Sequence, residues 1–217
     1  MKFGVIVFPG SNDDRDTEYA IGSVLGQSVK RIWHKEASLK DIDCVVLPGG
    51  FSYGDYLRCG AMAKMSPIVQ EVIKFANNGG YVFGICNGFQ VLTETGLLPG
   101  ALLQNQCLSF VCEMSELEVK TNNSPFTKNF KKNEMIQIPI KHNDGCYFAQ
   151  DDVLKELEDN DQIIIKYKNN PNGSIRDIAG ICNKKKNVIG MMPHPEHAFE
   201  MMSGSTDGKR FFESLLI

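Results

Sequence analysis

No apolar run in the 217 residues approaches the roughly 20 needed to cross a bilayer, so a membrane-spanning protein is not expected. Charge of one sign is not concentrated either. Twenty-six acidic and 23 basic residues leave a net charge of −3, and their interspersion offers neither a basic face for nucleic acid nor an acidic tail. The single lysine run, Lys184-Lys185-Lys186, lies between two apolar strands and reads as a solvated hairpin turn. Seven cysteines are present without paired metal-ligand spacing, which indicates neither a disulfide framework nor a zinc site. Internal repeats, linkers, a Gly-x-Gly-x-x-Gly motif and a Walker lysine motif are all missing. Residues 1–8 enter a strand pattern with no cleavable signal. The expectation is therefore a cytoplasmic protein of a reducing compartment, with one domain over residues 1–217, no metal, and a small-molecule or protein partner.

Apolar runs of strand length recur at 3–8, 29–33, 43–47 and 81–85. They lack clean alternation, as parallel strands buried on both faces do. Helix-like segments separate them: 13–25, with a polar, acidic first turn, and a periodic stretch that Ser66-Pro67 opens and Asn78-Gly79-Gly80 stops. Strands alternating with helices predict an α/β fold: a flavodoxin-like, doubly wound, mostly parallel sheet with helices on both faces. Further on, 108–111, 117–119 and 135–140 are strand-like and separated by polar turns, predicting a small antiparallel extension. A helix over 151–157, strands at 162–167, 177–182 and 188–192, and an amphipathic helix over 207–217 complete the chain.

Gly84-Ile85-Cys86-Asn87-Gly88 places a cysteine between two glycines, entered from Tyr81-Val82-Phe83 and left through Phe89-Gln90-Val91-Leu92. Strand, tight turn, thiol and helix make the pattern of a nucleophile elbow, whose glycines let neighbouring backbone approach closely. A small, buried, inert thiol fits the pentapeptide equally well. Pro193-His194-Pro195-Glu196, directly after the 188–192 strand, tips the balance. Its prolines disfavour helix at Met192 and His194, and in an extended segment His194 and Glu196 share a face, a base beside its orienter. Ligands of open α/β sheets bind outside the carboxyl ends of parallel strands. Three such ends deliver Pro48-Gly49-Gly50-Phe51-Ser52-Tyr53-Gly54-Asp55, Cys86, and the His194 and Glu196 pair.

These parts suit attack of a thiolate on an amide. His194 would take the thiol proton and return it to the departing nitrogen, while Glu196 fixes the ring's tautomer. The backbone N–H of Asn87 follows the nucleophile and is one oxyanion donor; the second is the amide of Gly50. Taken alone, Pro48-Gly49-Gly50 would also serve as a plain turn or a phosphate cradle. His34 and His197 read as solvated or partnered structural histidines. His142 leaves a strand for a polar loop and could line the pocket.

In these contexts Cys86, His194 and Glu196 resemble the triad-type, class I glutamine amidotransferases. Four blocks carry a narrower similarity, to the glutaminase subunits of phosphoribosylformylglycinamidine synthases. They are Pro48-Gly49-Gly50-Phe51-Ser52-Tyr53-Gly54-Asp55-Tyr56-Leu57-Arg58, Gly84-Ile85-Cys86-Asn87-Gly88-Phe89-Gln90, Gly96-Leu97-Leu98-Pro99-Gly100-Ala101-Leu102-Leu103 and Gly190-Met191-Met192-Pro193-His194-Pro195-Glu196. The similarity runs from residues 5–12 to the C-terminal helix and includes the 169–174 loop. It implies glutamine hydrolysis through a glutamyl thioester on Cys86. Ammonia would pass to a separate synthetase subunit that uses ATP, with magnesium, to convert formylglycinamide ribonucleotide to its amidine in purine synthesis. No cofactor is then expected on this chain, and some members add a third, small scaffold subunit. The resemblance also implies glutamine contacts at Gln90, around Asn105, and at Gly49. Cys107, Ser109 and Asn143-Asp144 depart from the pattern, where Ser, Arg and Gly-Glu are usual. Two other readings stay open. A DJ-1-like cysteine hydrolase on the same sheet explains neither His194-Pro195-Glu196 nor the 48–58 loop; a non-catalytic, flavodoxin-like binding module would leave Cys86 inert.

Overall fold

The computed structural model describes residues 1–217. The parallel part of the sheet contains β1 (Lys2–Val7), β2 (Ser28–Trp33), β3 (Cys44–Leu47) and β4 (Tyr81–Ile85). The middle of the chain supplies β5 (Ala101–Leu103), β6 (Val111–Val119), β7 (Met135–His142) and β8 (Cys146–Phe148), and the end supplies β9 (Ile163–Tyr167), β10 (Ile178–Cys182) and β11 (Val188–Met191). The helices are α1 (Asp14–Tyr19), α2 (Pro67–Asn77), α3 (Asn87–Glu94), α4 (Asp151–Asp159) and α5 (Lys209–Glu213). No helix is long and apolar enough to cross a membrane.

Nine strands form one sheet in the order β2-β1-β3-β4-β11-β10-β9-β6-β7, and β5 pairs with β8 in a separate two-stranded ribbon. Pairing is parallel from β2 to β11 and antiparallel from β11 to β7. The parallel strands β3 and β11 are buried along their whole length, as their unbroken apolar runs require. In β7 burial alternates, with Ile136, Ile138, Ile140 and His142 inward, so one face of the antiparallel part meets the core. That part is continuous with the main sheet. It also folds back over it: β7 is the edge strand opposite β2, yet the Pro139 carbonyl accepts from the His194 amide, beyond the end of β11, at 2.8 Å.

The helix expected over 13–25 begins as α1 and widens into a π-helical turn at Ala20–Val24, closed by the Leu25 amide on the Ala20 carbonyl at 3.0 Å. Proline opens α2, and Gly79 at φ 92° follows its end, the asymmetry expected from proline's fixed φ and glycine's freedom. The expected strand at 108–111 is not one: Leu108, at φ 53°, Ser109 and Phe110 lie outside any strand, and only Val111 joins the expected 117–119 segment in a single longer strand, β6. Its Cys112, Glu113 and Met114 are exposed but keep their ladder with β7, so backbone pairing overrides a polar stretch that reads as a turn. The lysine run is the β10–β11 hairpin turn, tied down by Lys184 on Glu156 and Lys185 on the Asn77 carbonyl.

A cluster of 52 buried apolar residues extends across the sheet. On one side α5 presses Phe211 and Phe212 toward Phe83, whose ring centroid lies 5.2 Å from that of Phe212 and 5.5 Å from that of Phe126. Phe83 sits in β4, two residues before the end that carries Cys86. Phe83→Ala is expected to cost about 3–5 kcal/mol of stability, read as a lower urea midpoint at unchanged m-value.

Candidate active site

Cys86 follows β4 at φ 49° and ψ −105°, a non-glycine residue in left-handed territory. Its amide donates to the Met191 carbonyl of β11 at 2.8 Å, and its own carbonyl accepts from the Phe89 and Gln90 amides of α3. The elbow is therefore pinned from both sides. The flanking glycines serve close approach: a Cβ on Gly84 would lie 2.7 Å from the Gly88 carbonyl oxygen, and one on Gly88 would overlap the backbone of Leu47. Cys86 is 5 % exposed, and its Sγ lies 3.8 Å from the Lys141 carbonyl oxygen.

Asn87 opens α3, whose first amides have no intrahelical carbonyl to meet. Its side chain joins the elbow to the neighbouring loop, accepting from the Ser52 amide at 3.2 Å and donating to Gln90 Oε1 at 2.8 Å. Gly50, at φ 129°, is held by its neighbours: the Phe51 amide donates to the Gly10 carbonyl while the Gly50 amide meets no protein acceptor. Both sequence-expected oxyanion donors are thus backbone amides without an internal partner, and Gly50 and Cys86 line the same cavity.

His194 and Glu196 come together as expected, but through a turn. His194 has φ −102° and ψ 87°, and Pro195–His197 form a single 3₁₀ turn. The turn sets His194 Nδ1 2.6 Å from Glu196 Oε1 with both side chains buried. His194 Nε2 is buried without a hydrogen-bond partner, while Nδ1 is taken by Glu196. Burial alone would depress the His194 pKa, but the charges of Glu196 and Cys86 outweigh it and lift it to about 10.

His197, on the same turn, is a partnered histidine. In a 3₁₀ turn residues three apart eclipse, so His197 returns over His194, with ring centroids 5.5 Å apart. Its Nε2 is 3.5 Å from both Asp13 and Glu196. His34 is partnered, by the Tyr53 hydroxyl at 2.6 Å.

A cavity of about 160 Å³ opens over Cys86. Gln90 lines it, with Nε2 donating to the Asp144 carbonyl at 2.7 Å. Gly49 and Asn105 are not among the residues that line it. A Cβ on Gly49 would lie 2.5 Å from Asp13 Oδ2 and 2.6 Å from His194 Cε1, so glycine is needed there for space. Asn105 is wholly buried; its Nδ2 donates to the Ser109 and His142 carbonyls, and its Oδ1 accepts from the Gly145 amide. With Asn105 Oδ1 an acceptor, His142 Nδ1 donates to it at 3.1 Å, and Nε2 is left to accept from Asn172 at 3.5 Å. His142 does line the cavity.

Sequence reasoning missed Asp13 and Lys141, and also Asp55, Cys59 and Asp144, which form an acidic end of the cavity. Burial and then the charge of Asp144 raise the Asp55 carboxyl above its ordinary value, partly offset by a hydrogen bond with Cys59. Asp13 follows the carboxyl end of β1, a strand-end signal that was available. Asp13, His194, Glu196 and His197 carry metal-type ligand atoms within 4.8 Å of one another, but a cation already serves them, since Lys141 Nζ pairs with Asp13 Oδ1 at 2.5 Å.

A thiol in a strained elbow, facing a buried histidine oriented by a glutamate at the carboxyl edge of a doubly wound sheet, defines a triad-type amidohydrolase site. A family model described as the CobB/CobQ-like glutamine amidotransferase domain matches residues 1–211. The chain is similar to the phosphoribosylformylglycinamidine synthase subunit PurQ of Alkaliphilus metalliredigens, at 54% identity over 216 residues covering 100% of this chain and 96% of the relative. It is similar to the subunit of the same name from Nostoc sp., at 52% over 217 residues covering 100% and 97%. A chain in the structure of PurLQS from Thermotoga maritima superposes with a TM-score of 0.92 at 44% identity, covering 99% of this chain and 97% of that one. The chain belongs to this glutamine amidotransferase family, and within it the similarity lies with the PurQ subunits. The DJ-1-like and binding-module readings are left without support.

Burial, then the charge of His194, pulls the His142 pKa down to about 4. The unfolded chain binds a proton there near pH 6.5, so stability falls as pH drops from about 6.5 toward 4. His142→Gln is expected to lose that component: its urea midpoint should fall less than the wild type's between about pH 7 and about pH 5.

Proposed function

We propose that this chain hydrolyses glutamine to glutamate and ammonia at Cys86. We further infer that it passes the ammonia to a synthetase subunit, which uses ATP to convert formylglycinamide ribonucleotide to formylglycinamidine ribonucleotide. The observation that carries the chemistry is the elbow: Cys86 at positive φ, at the floor of a cavity, beside a histidine held by Glu196 at 2.6 Å. The acceptor and partner rest on full-length similarity to subunits named for that synthase and to a chain of the PurLQS structure.

Sγ attacks the carboxamide carbon of glutamine, and the oxygen gathers negative charge against the Gly50 and Asn87 amides. His194 donates its Nε2 proton to the departing nitrogen as the C–N bond breaks, leaving a glutamyl thioester and ammonia. Water, deprotonated by the same nitrogen, then attacks the thioester and restores the thiol. Glu196 supports the ring's positive charge through Nδ1. Asp55 and Asp144 present carboxylates suited to the α-ammonium of glutamine. Exposed Tyr56 and Leu57 follow Asp55 on the same loop and give the synthetase subunit an apolar surface near the cavity mouth. ATP and magnesium belong to that subunit in this scheme, with a third small subunit in the complex. The whole chain acts as one glutaminase domain, and its seven free thiols suit the cytoplasm.

Glutamine hydrolysis measured with and without the synthetase subunit, ATP and formylglycinamide ribonucleotide tests this. The complete mixture is expected to stimulate the wild type, and Cys86→Ser is expected to lose roughly 10³-fold or more. Retained hydrolysis in Cys86→Ser would sink the chemistry. Full activity of the isolated chain with no stimulation would sink the partnership.

A further inference from the structure

We propose that Asp13 is a second carboxylate arm on His194, a positioning residue whose pull on the imidazolium is set by its ion pair with Lys141. Asp13 stands at the N-terminal boundary of α1, yet its side chain makes no cap hydrogen bond to the helix. It turns instead into the site, where it is 4 % exposed, with Oδ2 3.6 Å from His194 Nδ1 and Oδ1 2.5 Å from Lys141 Nζ. The absence of a side chain at Gly49 makes this approach possible. Burial would raise the Asp13 carboxyl, but His197, His194 and Lys141 outweigh it and hold it well below the usual carboxylate range.

His194 is faced by charged or titratable groups from four elements. Glu196 and His197 share its turn, Asp13 comes from the β1–α1 loop, Lys141 and His142 come from β7, and Cys86 comes from the elbow. Glu196 holds the ring by a direct hydrogen bond. Asp13, at 3.6 Å, acts through its charge. The reaction needs His194 to accept a proton and then release it to the departing nitrogen or to the thiolate. Two unopposed carboxylates would hold that proton too firmly, and the Lys141 ammonium offsets one of them. Loss of the Asp13 charge and loss of the Lys141 charge must therefore move His194 in opposite directions.

The inference rests on the reading of His194 as the catalytic base. Its test is a nitrogen-15 histidine titration by NMR on the full chain in a Cys86→Ser background, which removes the thiolate's contribution. The His194 signal is identified by its loss in His194→Gln. Asp13→Asn is expected to lower the His194 pKa by about one unit, Lys141→Met to raise it by a similar amount, and Asp13→Glu to stay near the parent. If both charge-removing variants shift the ring the same way, or neither moves it, the ion pair is only a strut and the proposal is overturned. Should Asp13→Asn fail to fold, the upward shift in Lys141→Met with Asp13→Glu at the parent value carries the proposal, and its absence defeats it. The titration reads the ring whether or not Cys86 is the nucleophile, so its outcome is separate from that of the hydrolysis assay.

Discussion

Cys86 occupies φ 49° and ψ −105°, a backbone region that costs an L-residue about 1–3 kcal/mol, and three strands combine to impose it. β11 receives the Cys86 amide through Met191. β4 delivers the residue, and β3 lies so close that Gly88 has room for no Cβ beside Leu47. The adjacency β3-β4-β11 is thus what aims the thiol, and the site follows from strand order before any catalytic side chain is considered. Because β3 also leads to Gly49-Gly50 and β11 leads to His194, the constraint that bends the elbow brings that loop and the histidine to it.

Charge makes the second demand. Asp13, His194 and Glu196 are nearly sealed from solvent, where an uncompensated charge is costly. Two anions and an imidazolium leave an excess of negative charge, and the ammonium of Lys141 brings the group close to balance. Its source is the far edge of the sheet: β7 folds back so that Pro139 binds the His194 amide while Lys141 reaches Asp13. The antiparallel half of the molecule therefore completes the charge balance of the buried group at the end of the parallel half.

The parallel strands, the elbow, and the placement of the residues proposed as triad and oxyanion donors were legible because each rests on local pattern: buried apolar runs, a cysteine between glycines, and motifs at strand ends. What was hidden depends on long-range folding. Lys141 looks like any solvent-facing lysine of an alternating strand until β7 curls over the carboxyl edge. Asp13 looks like part of an acidic first turn until its oxygens are seen to leave the helix. The ribbon of β5 and β8 has three-residue strands, too short for any period to register.

The departures from the family pattern at Cys107, Ser109, Asn143 and Asp144 become intelligible on the same footing. Asn143 accepts the Asn105 amide through its backbone carbonyl, and Asp144 accepts Gln90 Nε2 in the same way. Ser109 meets Asn105 Nδ2 through its carbonyl, and the Cys107 thiol reaches that same carbonyl at 3.6 Å. The supports of the cavity wall at three of these positions are main-chain groups, which any residue of compatible backbone conformation can supply.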